Sequence, residues 1–186
     1  LALGRYARGQ VSGTLIAVTG SAGKTTTVAM LADALSPFGS VAQTRDNANL
    51  PHGVAWNLAS IPWNTRYTIL ELAIGRMRQN AALAKPDIAI FTNILPAHLE
   101  YHHDVETVAD RKSAIFSGMA PGAIAILNRD MDQWERVHAA ACAQGLRLIH
   151  YGRTADCDVQ LIGHDARSNL VTVRIGRDVI SYVMVA

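Results

Sequence analysis

The sequence predicts an α/β fold, a doubly wound and mostly parallel sheet with a small antiparallel β appendage at its C-terminal end. Three observations predict it. Short runs of aliphatic and β-branched residues recur up to about residue 155, apolar throughout, as suits strands buried on both faces. Segments with apolar residues at helical spacing alternate with these runs, the order expected of βα units. Beyond residue 155 the pattern changes to short β-rich stretches separated by polar turns.

Each element can be placed in turn. LIAVTG, 15 to 20, is an apolar β-run ending in glycine, and KTTTVAMLADAL after it sets Val28, Leu31 and Leu35 at helical spacing. A helix is expected over 51 to 60, a strand at TILELA, 68 to 73, and a helix over 77 to 85. DIAIFTN, 87 to 93, is the next strand, followed by helix 105 to 119, strand AIAILN, 123 to 128, helix 131 to 144 and strand LRLIHY, 146 to 151. The tail reads as DVQLI, NLVTVRI and VISYVMV, with turns at Gly163 and Gly176, a small antiparallel sheet. The expected organisation is therefore one domain, with an α/β core over about 14 to 155 and a β tail over about 156 to 186.

Composition narrows the function classes. Hydrophobic residues make up 49% and charged residues 17%, the balance of a globular chain with a substantial core. The 17 basic and 15 acidic residues leave a net charge of +2 with no basic stripe, so neither nucleic acid nor a membrane surface is expected as a partner. Cys142 and Cys157 are too few for a disulfide framework or a structural zinc site, which points to a reducing, cytoplasmic setting. No run approaches the roughly 20 apolar residues of a membrane span, and LALGRYARGQ lacks the architecture of a signal peptide. With Leu1 first and a strand-like run at its end, the chain reads as a piece of a larger enzyme, and a monomer is expected.

Gly20-Ser21-Ala22-Gly23-Lys24-Thr25, with Thr26 behind it, lies between a strand and a helix. Such a turn aims successive backbone N–H groups and the positive end of the helix at one spot, which suits a di- or triphosphate. Lys24 adds a cation for the β- and γ-phosphates and the Thr25 hydroxyl a ligand for Mg²⁺. The usual phosphate-loop pattern has a glycine five residues before the second one; Val18 stands there, so this P-loop-type turn is a shortened variant. A tight turn without a ligand would use glycine for backbone freedom alone. It would not explain GKTTT in this strand-to-helix context.

Helix 105 to 119 would place Val105, Val108, Ala109, Ile115, Phe116 and Met119 on one face, and Lys112 falls inside that apolar arc. On its own a lysine there is most simply a snorkelling side chain. The strand DIAIFTN, however, runs into a loop, TNILPAHLE, that carries His98, and Glu71 follows TIL at another strand end. Ligands of open α/β sheets bind at the carboxyl ends of strands, so Glu71 and His98 become candidate neighbours of the phosphates. Singly, each also fits an ordinary cap or surface role.

Together, GSAGKTTT, LELAIG with Glu71, PDIAIFTNILPAHLE with His98, DRKSAIF with Lys112, and AILNRD resemble, in the right order, the Mur ligase family, over roughly residues 14 to 155. That family joins amino acids or peptides to carboxylates and includes peptidoglycan, folylpolyglutamate and cyanophycin ligases. TNILPAHLE and the spacing from His98 to Lys112 resemble the branch that adds D-alanyl-D-alanine to UDP-N-acetylmuramoyl-tripeptide. The segment AIGRMRQNAALAKPD is shorter than that branch's, and RDNANLPHGV matches its substrate-proximal loop only loosely. The resemblance implies a central ATP-binding domain, with an N-terminal substrate domain and a C-terminal domain outside this chain, and an isolated domain without activity.

It also implies the chemistry. ATP phosphorylates a carboxylate, and an amine attacks the acyl phosphate to give an amide, ADP and phosphate; Lys24, Mg²⁺ at Thr25 and the loop amides stabilise the migrating charge. A second Mg²⁺ is held by Glu71, His98 and a carbamylated Lys112. An ammonium about 5 Å from Mg²⁺ would be repelled by roughly 6 to 7 kcal/mol at an effective dielectric of 20, whereas a carbamate is attracted. An apolar surround also supplies the neutral amine that carbamylation needs. Asn128 in AILNRD matches the family's strand-end asparagine near the adenine, with a backbone-capping role as the alternative.

Asn47, Asn49 and His52 are candidates to face the substrate, although asparagine-rich loops also serve as turns. His102 and His103 are taken as solvated loop residues, and Trp56, Trp63 and Trp134 as core or interface aromatics. Three other functions stay open at this stage: a ligase of a polyamide or specialised-metabolite pathway, a P-loop kinase or ATPase, and a non-catalytic nucleotide-binding module. Lys112 discriminates against the kinase, and the joint presence of Glu71, His98 and Lys112 against the module.

Overall fold

The structure, a computed structural model, describes residues 1–46, 48–96 and 104–184. In chain order these form α1 (Ala2–Gln10), β1 (Thr14–Thr19), α2 (Lys24–Leu35), β2 (Val41–Gln43), α3 (Pro51–Ser60), β3 (Tyr67–Glu71), α4 (Met77–Ala84), β4 (Ile88–Phe91) and α5 (Val105–Ser113). A 3-10 turn, Ala114–Gly118, leads to β5 (Ile124–Asn128), α6 (Trp134–Ala143), β6 (Arg147–Gly152), β7 (Val159–Asp165), β8 (Leu170–Ile175) and β9 (Asp178–Val183). All nine strands form one sheet in the order β2-β3-β1-β4-β5-β6-β7-β8-β9. Pairings are parallel through β6–β7, and β8 and β9 are antiparallel to their neighbours.

The doubly wound parallel sheet is as expected, and so is the antiparallel pairing of the tail. The tail nevertheless continues the same sheet rather than forming its own, because Tyr151 and Gly152 of β6 pair with Val159 and Gln160 of β7. Two elements went unrecognised in the sequence, α1 and the three-residue edge strand β2. The helix expected over 105 to 119 ends at Ser113 and tightens into the 3-10 turn. The tightening lets Gly118 approach the Ala81 backbone of α4 so closely that no Cβ would fit.

Alternation along β1 shows why its run is apolar throughout. Leu15 and Ala17 enter the larger core with Leu70, Phe91, Leu127 and the inner faces of α3, α4, α5 and α6. Ile16 and Val18 enter a smaller core on the opposite face, with Ile69, Ile90 and Val28 and Ala32 of α2. One face is thus covered by several helices and the other, around β1, by α2. Since β3 lies on one side of β1 and β4 on the other, the chain reverses its direction of winding at β1, and the crevice at that strand's carboxyl end is where ligands bind in such sheets.

Candidate active site

β1 ends at Thr19 and the loop from Gly20 carries the chain into α2 at Lys24. Gly20 has φ of 148°, and a Cβ on it would collide with the Thr92 hydroxyl, so glycine is required there. The loop is fastened to the exit of β4. Ser21 N donates to Asn93 O at 3.0 Å, Ala22 N to Asn93 Oδ1 at 2.9 Å, and Thr92 Oγ1 to Ala22 O at 2.7 Å. Thr92 and Asn93 had no role in the sequence reading. Their signal was a hydroxyl and an amide side by side at a strand end, the residues that bond to nearby backbone.

Gly23 caps α2 without a side chain, and no acidic residue stands in the first turn. Among the described residues no protein acceptor meets the N–H groups of Gly23, Lys24, Thr25 and Thr26. These unmet donors, the helix dipole and the adjacent Lys24 make the loop a candidate anion site, of the kind a phosphate chain fits.

Glu71 is the last residue of β3, paired in register with Val18 and only 4% exposed. Its N–H donates to Thr44 Oγ1 at 2.7 Å. Its Oε2 accepts from Thr25 Oγ1 at 2.7 Å and its Oε1 from Asn49 Nδ2 at 2.9 Å. Lys112, also 4% exposed, donates from Nζ to Gly20 O at 2.8 Å, so it reaches the loop across the chain rather than snorkelling to solvent. Burial, and then the Lys24 ammonium, push its pKa from 10.5 down to about 8, against the pull of Glu71. Near pH 7 roughly a tenth of such an amine is neutral, against well under a thousandth for an ordinary lysine.

Lys24, Thr25, Glu71, Lys112 and Asn49 are therefore gathered at one strand edge. His98 lies outside the described residues, as do Asn47, His102 and His103. Among the described residues no three His, Cys, Asp or Glu side chains gather as a metal cluster. The carboxylate of Glu71 beside the Thr25 hydroxyl is nevertheless a pair of hard oxygen donors, the chemistry Mg²⁺ prefers.

A family model, the Mur ligase middle domain, matches residues 18–180. This chain belongs to the Mur ligase family. Among Mur ligases it is 36% identical over 161 residues to the UDP-N-acetylmuramoyl-tripeptide–D-alanyl-D-alanine ligase of Rickettsia prowazekii, covering 84% of this chain and 36% of that protein. The Escherichia coli ligase of the same name is 35% identical over 135 residues, 71% of this chain and 30% of that one. Among solved Mur ligases, MurF from Acinetobacter baumannii superposes with a TM-score of 0.89 at 27% identity, over 96% of this chain and 40% of that chain. MurF from Thermotoga maritima in complex with ADP gives 0.83 at 25% identity, over 97% and 43%. The chain spans roughly a third of the length of the curated relatives it matches.

Other residues of the Mur ligase reading fall as follows. Asn128 ends β5, with Nδ2 donating to Thr92 O at 2.8 Å and Oδ1 accepting from Asp130 N at 2.9 Å, the capping geometry weighed as its alternative. The Tyr151 phenol donates to the same Thr92 carbonyl at 3.2 Å, and burial raises its pKa to about 12. His52 is exposed on α3. Trp56 and Trp63 are not core residues: they are 48% and 53% exposed, Trp63 meeting Tyr6 edge to face. Trp134 is buried, flanked by the Arg129 guanidinium and the His150 ring.

Proposed function

We propose that this chain is the ATP-binding central domain of a ligase that forms an amide bond in peptidoglycan precursor synthesis, joining D-alanyl-D-alanine to UDP-N-acetylmuramoyl-tripeptide. The names of its relatives support the substrates. A single observation carries the chemistry: a buried lysine of lowered pKa held against the phosphate loop beside a buried carboxylate.

ATP supplies the phosphoryl group that turns the substrate carboxylate into an acyl phosphate, from which the incoming amine displaces phosphate to leave the amide. The loop N–H groups and Lys24 hold the phosphates in place. The Thr25 hydroxyl would present its oxygen to one Mg²⁺, and the Glu71 carboxylate with His98 would hold a second. The neutral fraction of Lys112 adds CO₂, releasing one proton, and the resulting carbamate keeps one N–H to donate to Gly20 O while its charge changes sign towards the metal. Asn128 holds the end of β5 against β4 beside the proposed adenine position. We assign the enzyme to the cytoplasm, where ATP and nucleotide-sugar precursors meet; among the described residues no helix is long and apolar enough to cross a membrane. The domain works as part of a monomeric polypeptide with a substrate domain before it and an amine-presenting domain after it.

The test uses the full-length enzyme. Phosphate release should require ATP, the tripeptide precursor and D-alanyl-D-alanine together, and Lys112→Ala should abolish it. Intact-protein mass spectrometry under CO₂ should show one added carbamate that Lys112→Ala lacks. ATP turnover untouched by Lys112→Ala would establish a kinase or simple ATPase instead, and no turnover with any carboxylate and amine pair would leave a nucleotide-binding module.

A further inference from the structure

Two asparagines outside the sequence-derived site sit inside helices and are buried, Asn57 of α3 at 3% exposure and Asn80 of α4 at 0%. Asparagine is a poor helix former and a costly core residue, so neither position is explained by propensity or by apolar packing. Both amides are turned on the backbone of Arg45, Ala48 and Asn49. Asn57 Oδ1 accepts from Arg45 N at 3.1 Å, and its Nδ2 donates to Ala48 O at 3.1 Å. Ala48 lies so close to α3 that a Cβ on Gly53 would come within 2.6 Å of its backbone.

Asn80 works from the other side. Its Nδ2 donates to Asn49 O at 3.2 Å and to Gly75 O at 3.3 Å, linking Asn49 to the segment that follows Glu71. Ala73 N donates to the same Asn49 carbonyl at 3.2 Å. Asn80 Oδ1, by contrast, is buried without a partner among the described residues, which is destabilising. An apolar side chain would fill that space without the penalty. What asparagine alone supplies there is the pair of N–H donors.

We propose that Asn80 and Asn57 are positioning residues that hold Arg45, Ala48 and Asn49 between α3 and α4, so that the Asn49 amide stays on Glu71 Oε1 and fixes how the carboxylate faces Thr25 and the Gly20–Thr25 turn. A carboxylate free to rotate would share its oxygens between Thr25 and a divalent cation; one pinned at Oε1 presents a single orientation. The inference rests on Glu71 being a ligand of that cation.

Mn²⁺ titration of the full-length enzyme by electron paramagnetic resonance, with metal-free fluorescent ADP binding alongside, tests it. Asn80→Ala should weaken Mn²⁺ about tenfold and leave metal-free ADP affinity within about twofold, the size expected of an outer partner to a ligand. Asn49→Ala should do the same, and adding Asn80→Ala to it should change nothing further, since both remove one chain of contacts. Additive losses, or unchanged Mn²⁺ affinity in a folded Asn80→Ala enzyme, would overturn the clamp. Asn57→Ser gives the same reading from the opposite arm should Asn80→Ala not fold. Glu71→Gln separates the two failures: if it binds Mn²⁺ as tightly as the wild type, the assignment of Glu71 as a ligand falls, whatever the asparagines do.

Discussion

Strands β1 and β9 are both six residues long with Ile and Val among them, yet every residue of β1 after Thr14 is buried and every residue of β9 is exposed. TLIAVT lies mid-sheet, with α2 on one face and the larger core on the other; DVISYV is the last strand of an extension that carries no helix. The polar groups divide the same way. The carboxyl edge around β1 gathers Thr25, Glu71, Lys112, Thr92 and Asn93, whereas among the described residues the side-chain contact between β8 and β9 is an exposed Thr172–Ser181 hydroxyl pair. A strand's composition makes it a strand, and its covering layers make it a core or a site.

That contrast can be broken by substitution. The largest effect is expected from Leu127→Ala in β5, fully buried in the main core, at about 2–5 kcal/mol of stability in urea unfolding. Gly20→Ala should follow: the collision with Thr92 and the positive φ should weaken ADP binding by about a hundredfold, or about 2.7 kcal/mol, in a fluorescence titration. Unchanged binding would mean that the loop is not preorganised by its fastening to β4.

Lys112→Met sharpens the comparison through pH. The folded pKa of about 8 lies below the unfolded value of 10.5, so the unfolded chain binds more protons between them and wild-type stability rises across that window. Below it the full penalty applies, about 3 kcal/mol before the bond to Gly20 is counted. In CO₂-free buffer Lys112→Met should therefore be the more stable protein near pH 7, by about 1–2 kcal/mol, and lose that advantage near pH 10. An advantage independent of pH would place the cause in packing rather than in charge. The smallest effect belongs to Val179→Lys in β9, within about 0.5 kcal/mol and silent in ADP binding. A large loss there would mean that the exposed extension is as tightly coupled to the core as β5.

Much of this was legible in the residues. Period and length located the strands that became β1, β3, β4, β5 and β6; for β1, β3 and β4 the reason is that a strand covered on both faces must be apolar throughout. The order glycine, lysine, threonine at a strand-to-helix junction located the candidate anion site, because such a site is made by local backbone. Lys112 drew notice as a charge inside an apolar arc. By contrast β2 is three residues at a sheet edge, and α1 depends on Gly4 packing against the Ala55 backbone of α3, a contact no local pattern announces. For Trp56 and Trp63 the sequence left core and interface open, and only the structure removed the core reading, because a large aromatic's covering layer is not written beside it in the chain.

The sequence by itself determined the alternation of strands and helices, the candidate phosphate loop and the family resemblance, all of which depend on neighbours along the chain. Only the tertiary structure decided that Lys112 meets Gly20, that Glu71 is held between Thr25 and Asn49, and that Asn57 and Asn80 hold the backbone of Arg45 and Asn49 between them. Those contacts join residues up to 92 positions apart. Sheet order and helix packing create them, and neither is encoded in any one segment.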